Sequence, residues 1–230
     1  MISAEQVLDA LSGVRDPEID EPLTDLGFVA GVHVDGTSVD VRLRLPTYFC
    51  APNFAYLMVA DALEAVRSLP QVGDVTITLD DHFASGEING AIAVGQGFEA
   101  AFPGESVGEL PALRDLFTRK AFTARQSRVC DALLRVGRTW EELADTRLGA
   151  LAGGPDVTRC ISLRMSLGID TAPGSPAFVR ADGSALDVDG LKRFMRVARL
   201  VRLSLEGNAG LCRALLATRY GIEDPEEAAA

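Results

Sequence analysis

The chain has 230 residues, of which 47% are hydrophobic and 24% charged, a composition typical of a globular protein with one large core or two small ones. No apolar run approaches the ~20 residues that span a bilayer. The start, MISAEQVLDAL, lacks the basic and apolar blocks of a signal peptide, so we expect a cytoplasmic protein.

Charge is distributed unevenly along the chain. Residues 1–109 contain 18 acidic and 4 basic side chains, a balance of −14, whereas residues 110–230 contain 15 acidic and 18 basic ones, a balance of +3. This change indicates two units with different partners. The acidic front unit would repel phosphates, so we expect no nucleic acid to bind there.

The first hundred residues show a helix, a hairpin, a helix and a strand. Ser3 and Gln6 form a capping box for the first helix, and Asp35-Gly36 separates two strand patterns. Pro52 suits the first turn of the second helix, and VGDVTITL forms a third strand. The stretch EINGAIAV is interpreted as a further edge strand. We therefore predict an α+β fold, a small two-layer α/β sandwich with a mixed sheet, over residues 1–95.

A Gly/Pro-rich segment, 96–110, is predicted to link this domain to a mainly α-helical C-terminal domain, 111–230. Thr139 and Glu142 form a second capping box in that domain. Its helices could also form a helix-turn-helix of a DNA-binding regulator. The segment VTRCISLRMSLGI is largely apolar, which favours a buried helix over a recognition helix.

Two short motifs match known sites only superficially. Gly95-x-Gly97 resembles the start of a dinucleotide fingerprint, but Pro103-Gly104 would stop the helix that this site needs. Ser106 lies in a Gly-x-Ser-x-Gly motif, yet no histidine follows it in the chain, which excludes a serine hydrolase of the usual order.

The four cysteines, Cys50, Cys130, Cys160 and Cys212, have no close pairing and do not indicate a disulfide framework. Three of them lie inside apolar helical patterns, where a cysteine is usually a buried packing residue. Cys50 differs, because it stands between a strand and the start of a helix. Helix N-termini favour thiolate over thiol, and a thiolate is both a nucleophile and a soft metal ligand.

The first third of the chain resembles the PaaD-like metal–sulfur (iron–sulfur) cluster assembly factors. The resemblance rests on Asp16-Pro17-Glu18, Asp25-Leu26-Gly27, the hairpin, the turn from Thr47 to Cys50, and LPQVGDVTI. It covers about residues 5–80. This chain departs from the family pattern in having alanine directly after the cysteine, DDHFASG in place of a Pro-Pro-Trp turn, and a long helical extension.

The resemblance implies an α/β sandwich that assembles or delivers iron–sulfur clusters. It implies Cys50 as the iron or cluster contact, with Thr47 beside it and Asp16, Glu18 and Asp25 as an acidic rim. His82 is an auxiliary candidate, because it follows the third strand, whose end would approach the Cys50 loop if the strands run parallel. A single thiolate binds metal weakly, so binding would be transient and shared across a homodimer or with a client protein.

We therefore expect an accessory factor, not a turnover enzyme, that supplies iron or an iron–sulfur cluster to a client apo-metalloprotein. Some members of the family are encoded beside multicomponent oxygenases, which suggests an oxygenase component as client. The helical half would recognise the client. The alternative is a non-metal adaptor on the same fold, acting as an assembly chaperone or structural subunit.

Overall fold

The structure, a computed structural model, describes residues 2–104 and 109–222. The described residues form two compact units: residues up to 110 together with those from 208 onward, and residues 111–207. The sequence assigned 111–230 to one helical domain, whereas here the last segment belongs to the first unit. Within the described part of the chain, none of the helices is both long and apolar enough to cross a bilayer.

The first unit confirms the predicted α+β fold. Its elements are α1 (Ala4–Ser12), β1 (Val29–Asp35), β2 (Ser38–Leu43), α2 (Pro52–Arg67), β3 (Val75–Leu79), α3 (Ser85–Ala93) and α4 (Phe98–Ala101). The sheet order is β1-β2-β3, with β1 antiparallel and β3 parallel to β2, so the sheet is mixed. Helices α1 and α2 pack on the sheet and form the second layer.

Local sequence signals explain most of these elements. Ser3 and Gln6 complete the capping box of α1, and Pro52 is the first residue of α2. In β2 the side chains of Val39, Val41 and Leu43 are buried while those between them are exposed, so only one face of the sheet meets the core. The hairpin turns at Gly36, which has φ +63°.

The prediction of an edge strand at EINGAIAV was wrong, because this stretch forms α3. The side chain of Asn89, on this helix, donates to the carbonyl of Leu79 at 3.0 Å and accepts from its N–H at 2.9 Å. One amide side chain thus satisfies backbone groups at the end of β3 that another strand would have paired. Ile88 and Ile92, four residues apart, pack into the core.

The predicted linker, 96–110, contains the one-turn helix α4. Phe98 in this turn is buried and lies 5.5 Å from the ring of Tyr56 and 4.8 Å from that of Phe102. The beginning of the segment is therefore packed on the first unit. Ser106, in the Gly-x-Ser-x-Gly motif, lies outside the described residues.

The second unit is helical, as predicted. Its elements are α5 (Glu109–Arg135), which begins just before the unit, α6 (Trp140–Asp145), a 3-10 turn (Leu148–Ala150), α7 (Pro155–Ser166) and the first part of α8 (Val188–Tyr220). Cys130 and Cys160 are buried in it, as expected of packing residues. Helix α7 holds the buried Arg164, whose guanidinium donates to backbone carbonyls of Asp170, Pro176 and Ala177.

Candidate functional site

Two loops meet at one edge of the sheet, where β2 and β3 both end. Because these strands are parallel, the loop from β2 to α2, with Cys50, and the loop after β3, with His82, emerge side by side. The N–H of Phe83 donates to the carbonyl of Tyr48 at 3.1 Å and joins the two loops directly. Parallel pairing thus brings Cys50 and His82, which are 32 positions apart, into one site.

The Cys50 side chain is half-buried and lies next to the hydroxyl of Thr47. The distance from Thr47 Oγ1 to Cys50 Sγ is 3.3 Å, and the same oxygen accepts from the N–H of Phe49 at 3.3 Å. The hydroxyl can direct its proton at the sulfur while its oxygen accepts from Phe49. Helix α2 starts two residues later, and its capping residue, Ala51, has no side-chain acceptor to offer the first N–H groups.

His82 is 3% exposed and supports the Cys50 loop from beneath. Its Nε2 lies 2.7 Å from the carbonyl oxygen of Cys50, and its Nδ1 lies 3.2 Å from the N–H of Ala84. Since Ala84 donates to Nδ1, Nε2 must carry the proton and donate to Cys50. Both ring nitrogens are engaged, so His82 acts here on the loop backbone. A role as auxiliary metal ligand would require these bonds to break.

The residues of the predicted acidic rim differ in exposure, because Asp16 is buried and Asp25 is exposed. Asp16 is 8% exposed, and its Oδ1 accepts from the N–H groups of Glu18 at 2.8 Å and Ile19 at 3.1 Å. Burial raises the pKa of the Asp16 carboxyl to about 6, although these two hydrogen bonds act in the opposite direction. Asp25 is exposed and accepts from the hydroxyl of its neighbour Thr24.

Cys212 is a site residue that the sequence did not indicate. It lies half-buried on the part of α8 that belongs to the first unit. Burial, followed by the charges of Asp16, Cys50 and Glu18, raises the pKa of its thiol to about 11. Groups from two other segments of the chain therefore act on the Cys212 thiol. The sequence around Cys212, GLCRALLAT, has the apolar pattern of an ordinary buried helix and gives no sign that the cysteine lies near these groups.

The C-terminal part of α8 is fixed on the first unit by one face of the helix. Leu216 lies 3.1 Å from where a side chain at Gly27 would begin, and Gly27 has φ +72°. One turn later, the guanidinium of Arg219 donates to the carbonyls of Leu45, at 3.0 Å, and Asp81, at 2.5 Å. Cys212 is one turn before Leu216 and so lies on the same face.

The donor set around Cys50 is incomplete for a metal. Among the residues that the structure describes, no group of three or more His, Cys, Asp or Glu side chains is arranged to hold a metal ion. An iron–sulfur cluster is usually held by four thiolates. A cluster or iron at Cys50 would therefore be cargo, with part of its coordination supplied by another molecule. Contact between Cys50 and a metal stays a prediction.

The first unit combines a small α/β sandwich with a half-buried cysteine at the turn from a strand to a helix, and the comparison with known proteins assigns it to a class. Residues 4–79 match the family model described as iron–sulfur cluster assembly protein. An uncharacterized protein of Methanocaldococcus jannaschii is 36% identical over 91 residues, which are 39% of this chain and 93% of that protein. Through its N-terminal domain, this chain belongs to the iron–sulfur cluster assembly protein family.

A second relative has a more specific name. The iron–sulfur cluster carrier protein of Synechocystis is 29% identical over 107 residues, 42% of this chain and 30% of that protein. The match therefore spans less than a third of the carrier. The family model covers part of the first unit only and does not extend to residues 111–207.

Proposed function

We propose that this protein assembles or carries iron–sulfur clusters for a client metalloprotein and is not itself a turnover enzyme. Family membership and the likeness to the Synechocystis carrier support the coarser part of this proposal, a role in cluster assembly or carriage. The observation that carries it is the position of Cys50. Cys50 is half-buried at the sheet edge, and its sulfur lies beside the Thr47 hydroxyl.

The incomplete donor set is compatible with a carrier. Cys50 would contribute one thiolate to the cargo, and the remaining ligands would come from a second copy or from the client. Transfer would then be a ligand exchange in which a client thiolate binds an iron as the Cys50 thiolate leaves it. Neither iron nor sulfur changes oxidation state in this step. Weak attachment at one residue favours release.

The client is a further part of the proposal. The resemblance suggests a component of a multicomponent oxygenase, and the helical second unit would contribute to recognising it. Nucleic acid is not proposed as a partner. In the second unit Arg199 and Arg202 both bind Asp131, so two basic side chains of α8 that could contact phosphates already have an acidic partner.

The test is iron and acid-labile sulfide content after anaerobic purification and after reconstitution. Wild type, Cys50→Ala and, as a control, Cys160→Ala are compared, since Cys160 is a buried cysteine of the second unit. We expect iron in the wild type and the control and its loss in Cys50→Ala. Equal iron in all three proteins, or none in any, would contradict the proposal.

A second candidate function is favoured by one observation, the lack of a convergent ligand set in the described residues. In this alternative the fold is a non-metal adaptor, an assembly chaperone or structural subunit. Its signature is a Cys50→Ala variant that supports activation of the client as well as the wild type does. Loss of activation in that variant, with folding intact, would exclude the adaptor.

A further inference from the structure

Three aromatic rings stand together on the surface at the Cys50 loop. Tyr48 is 49% exposed, Phe49 77% and Phe83 46%. The ring centroids of Tyr48 and Phe49 are 5.1 Å apart, and that of Phe83 lies 6.3 Å from Tyr48 and 6.2 Å from Phe49. These three residues are called the aromatic patch below.

The protein backbone holds the aromatic patch in place. Phe83 donates its N–H to the carbonyl of Tyr48, and the N–H of Phe49 is bound by the Thr47 hydroxyl. The buried ring of His82 lies 4.8 Å from that of Phe83 and supports it. The rings are therefore presented on two fixed loops at the end of parallel strands. Exposed clusters of large apolar side chains commonly mark interaction surfaces.

The aromatic patch is continuous with the proposed cluster-carrying site. Phe49 directly precedes Cys50, and the hydroxyl that binds the Phe49 N–H lies 3.3 Å from the Cys50 sulfur. A protein that brings a ligand to this sulfur therefore docks beside Phe49. An interface formed around the thiol can include the aromatic patch.

The charge of the surrounding surface indicates what kind of partner fits. Residues 1–109 carry a balance of −14. Asp81 and Glu87, on either side of Phe83 in the sequence, are both exposed. A second copy of this chain would bring a similar acidic surface against this one, and like charges brought together at an interface disfavour association. A partner with basic side chains gains from the same field.

We propose that the aromatic patch is the docking surface for the client polypeptide, and that it binds a segment combining apolar side chains with Lys or Arg. This inference rests on the proposed function and adds the chemistry of client recognition. Apolar side chains of the client lie against the three rings, and its basic residues face the acidic surface around them. Docking in this position brings a client cysteine close to Cys50.

The probe is a random dodecapeptide library displayed on phage and selected on the reduced, full-length protein. Selected peptides are synthesised, and their affinities are measured for wild type, the double variant Phe49→Ser/Phe83→Ser and Val94→Ser. Val94 is 68% exposed in the same unit and controls for loss of an exposed apolar side chain elsewhere. Circular dichroism verifies that the double variant is folded, and Phe49→Ser alone is measured as a milder change.

We expect the selected peptides to be enriched in apolar and basic residues. Their affinity should fall by at least about tenfold in the double variant and remain unchanged in Val94→Ser. Binding should also weaken between 50 and 500 mM salt. Peptides without this composition, or affinities that the double variant retains, would overturn the proposal. So would a dimer of the wild type that the double variant abolishes, since a second copy would then occupy the patch.

The selection uses no iron, so its outcome is separate from that of the cluster experiment. If wild type lacks iron but the peptides bind as expected, the cluster-carrier function fails and the docking surface stands. If Cys50-dependent iron is found but the peptides bind away from the patch, the cluster-carrier function stands and the docking surface fails.

Discussion

His82 donates the proton on its Nε2 to the carbonyl oxygen of Cys50 over 2.7 Å, which ties the loop after β3 to the loop that carries the candidate ligand. The tautomer follows from the second ring nitrogen, which accepts from the N–H of Ala84. The histidine therefore fixes the backbone on which the thiol is mounted. The contact between His82 and Cys50 is to the backbone carbonyl and not to the thiol.

Replacing His82 with alanine should release the Cys50 loop. The variant loses two hydrogen bonds and leaves a space under the loop, so we expect the free energy of unfolding to fall by about 2–4 kcal/mol. We also expect faster alkylation of Cys50 by iodoacetamide. His33→Ala is the matched control, because His33 is exposed on β1. Equal alkylation rates in His82→Ala and wild type would refute this positioning role.

The hydroxyl of Thr47 should affect the reactivity of Cys50. Thr47→Val keeps the shape of the side chain but removes the group beside the sulfur, whereas Thr47→Ser retains it. We expect alkylation of Cys50 at pH 7 to slow by about twofold to tenfold in Thr47→Val, as loss of one hydrogen bond predicts. Thr47→Ser should stay near wild type. Mass spectrometry of the Cys50 peptide follows the reaction.

Asp16 should make stability depend on pH. Burial raises its pKa to about 6 in the folded protein from an ordinary value of 3.8, so between these values the folded state binds more protons than the unfolded state. Stability therefore falls as the pH rises through this window. The shift corresponds to at most about 3 kcal/mol. In Asp16→Asn this contribution disappears while the oxygen acceptor for Glu18 and Ile19 remains.

Urea unfolding of wild type and Asp16→Asn at pH 4 and at pH 7 measures the effect. The advantage of the variant over the wild type should be larger at pH 7. A stability difference that is the same at both values, or larger at pH 4, would show that this carboxyl does not titrate as the structure indicates.

The Cys212 thiol should respond to its charged neighbours in opposite directions. Asp16 raises its pKa and Arg213 lowers it, so Asp16→Asn should bring the pKa below about 11 and Arg213→Gln should raise it. Burial is the largest cause and persists in both variants. The pH dependence of alkylation, read at the Cys212 peptide, gives the two shifts. Shifts of the same sign would contradict the grouping of Asp16 with Cys212.

Gly27 should be sensitive to a side chain for two reasons, and Gly36 for only one. Both have positive φ, so alanine at either site incurs backbone strain of about 1–2 kcal/mol. At Gly27 the new methyl group would also meet Leu216 at 3.1 Å, while at Gly36 nothing lies within 4 Å. We expect a larger loss of stability for Gly27→Ala in thermal unfolding. In a Leu216→Ala background, Gly27→Ala and Gly36→Ala should lower the melting temperature by similar amounts, because the contact with Leu216 is gone.

The sequence by itself determined the local elements. The Ser3–Gln6 capping box, the turn at Gly36 and the start of α2 at Pro52 depend on neighbouring residues only, and all three occur as predicted. The special position of Cys50 was also evident, because it follows from the order of a strand, a turn and a helix. The alternation in β2 identified which face would be buried.

Tertiary structure decided what depends on pairing between distant segments. EINGAIAV has the composition of a strand, yet the side chain of Asn89 takes the backbone groups at Leu79, and the stretch becomes helical. His82 reaches Cys50 because β2 and β3 are parallel, an arrangement the sequence leaves open. Cys212 joins the first unit because α8 continues to Tyr220 and is anchored by Arg219. Hydrophobic periodicity identifies the buried face of a helix, but it does not specify which surface that face will meet.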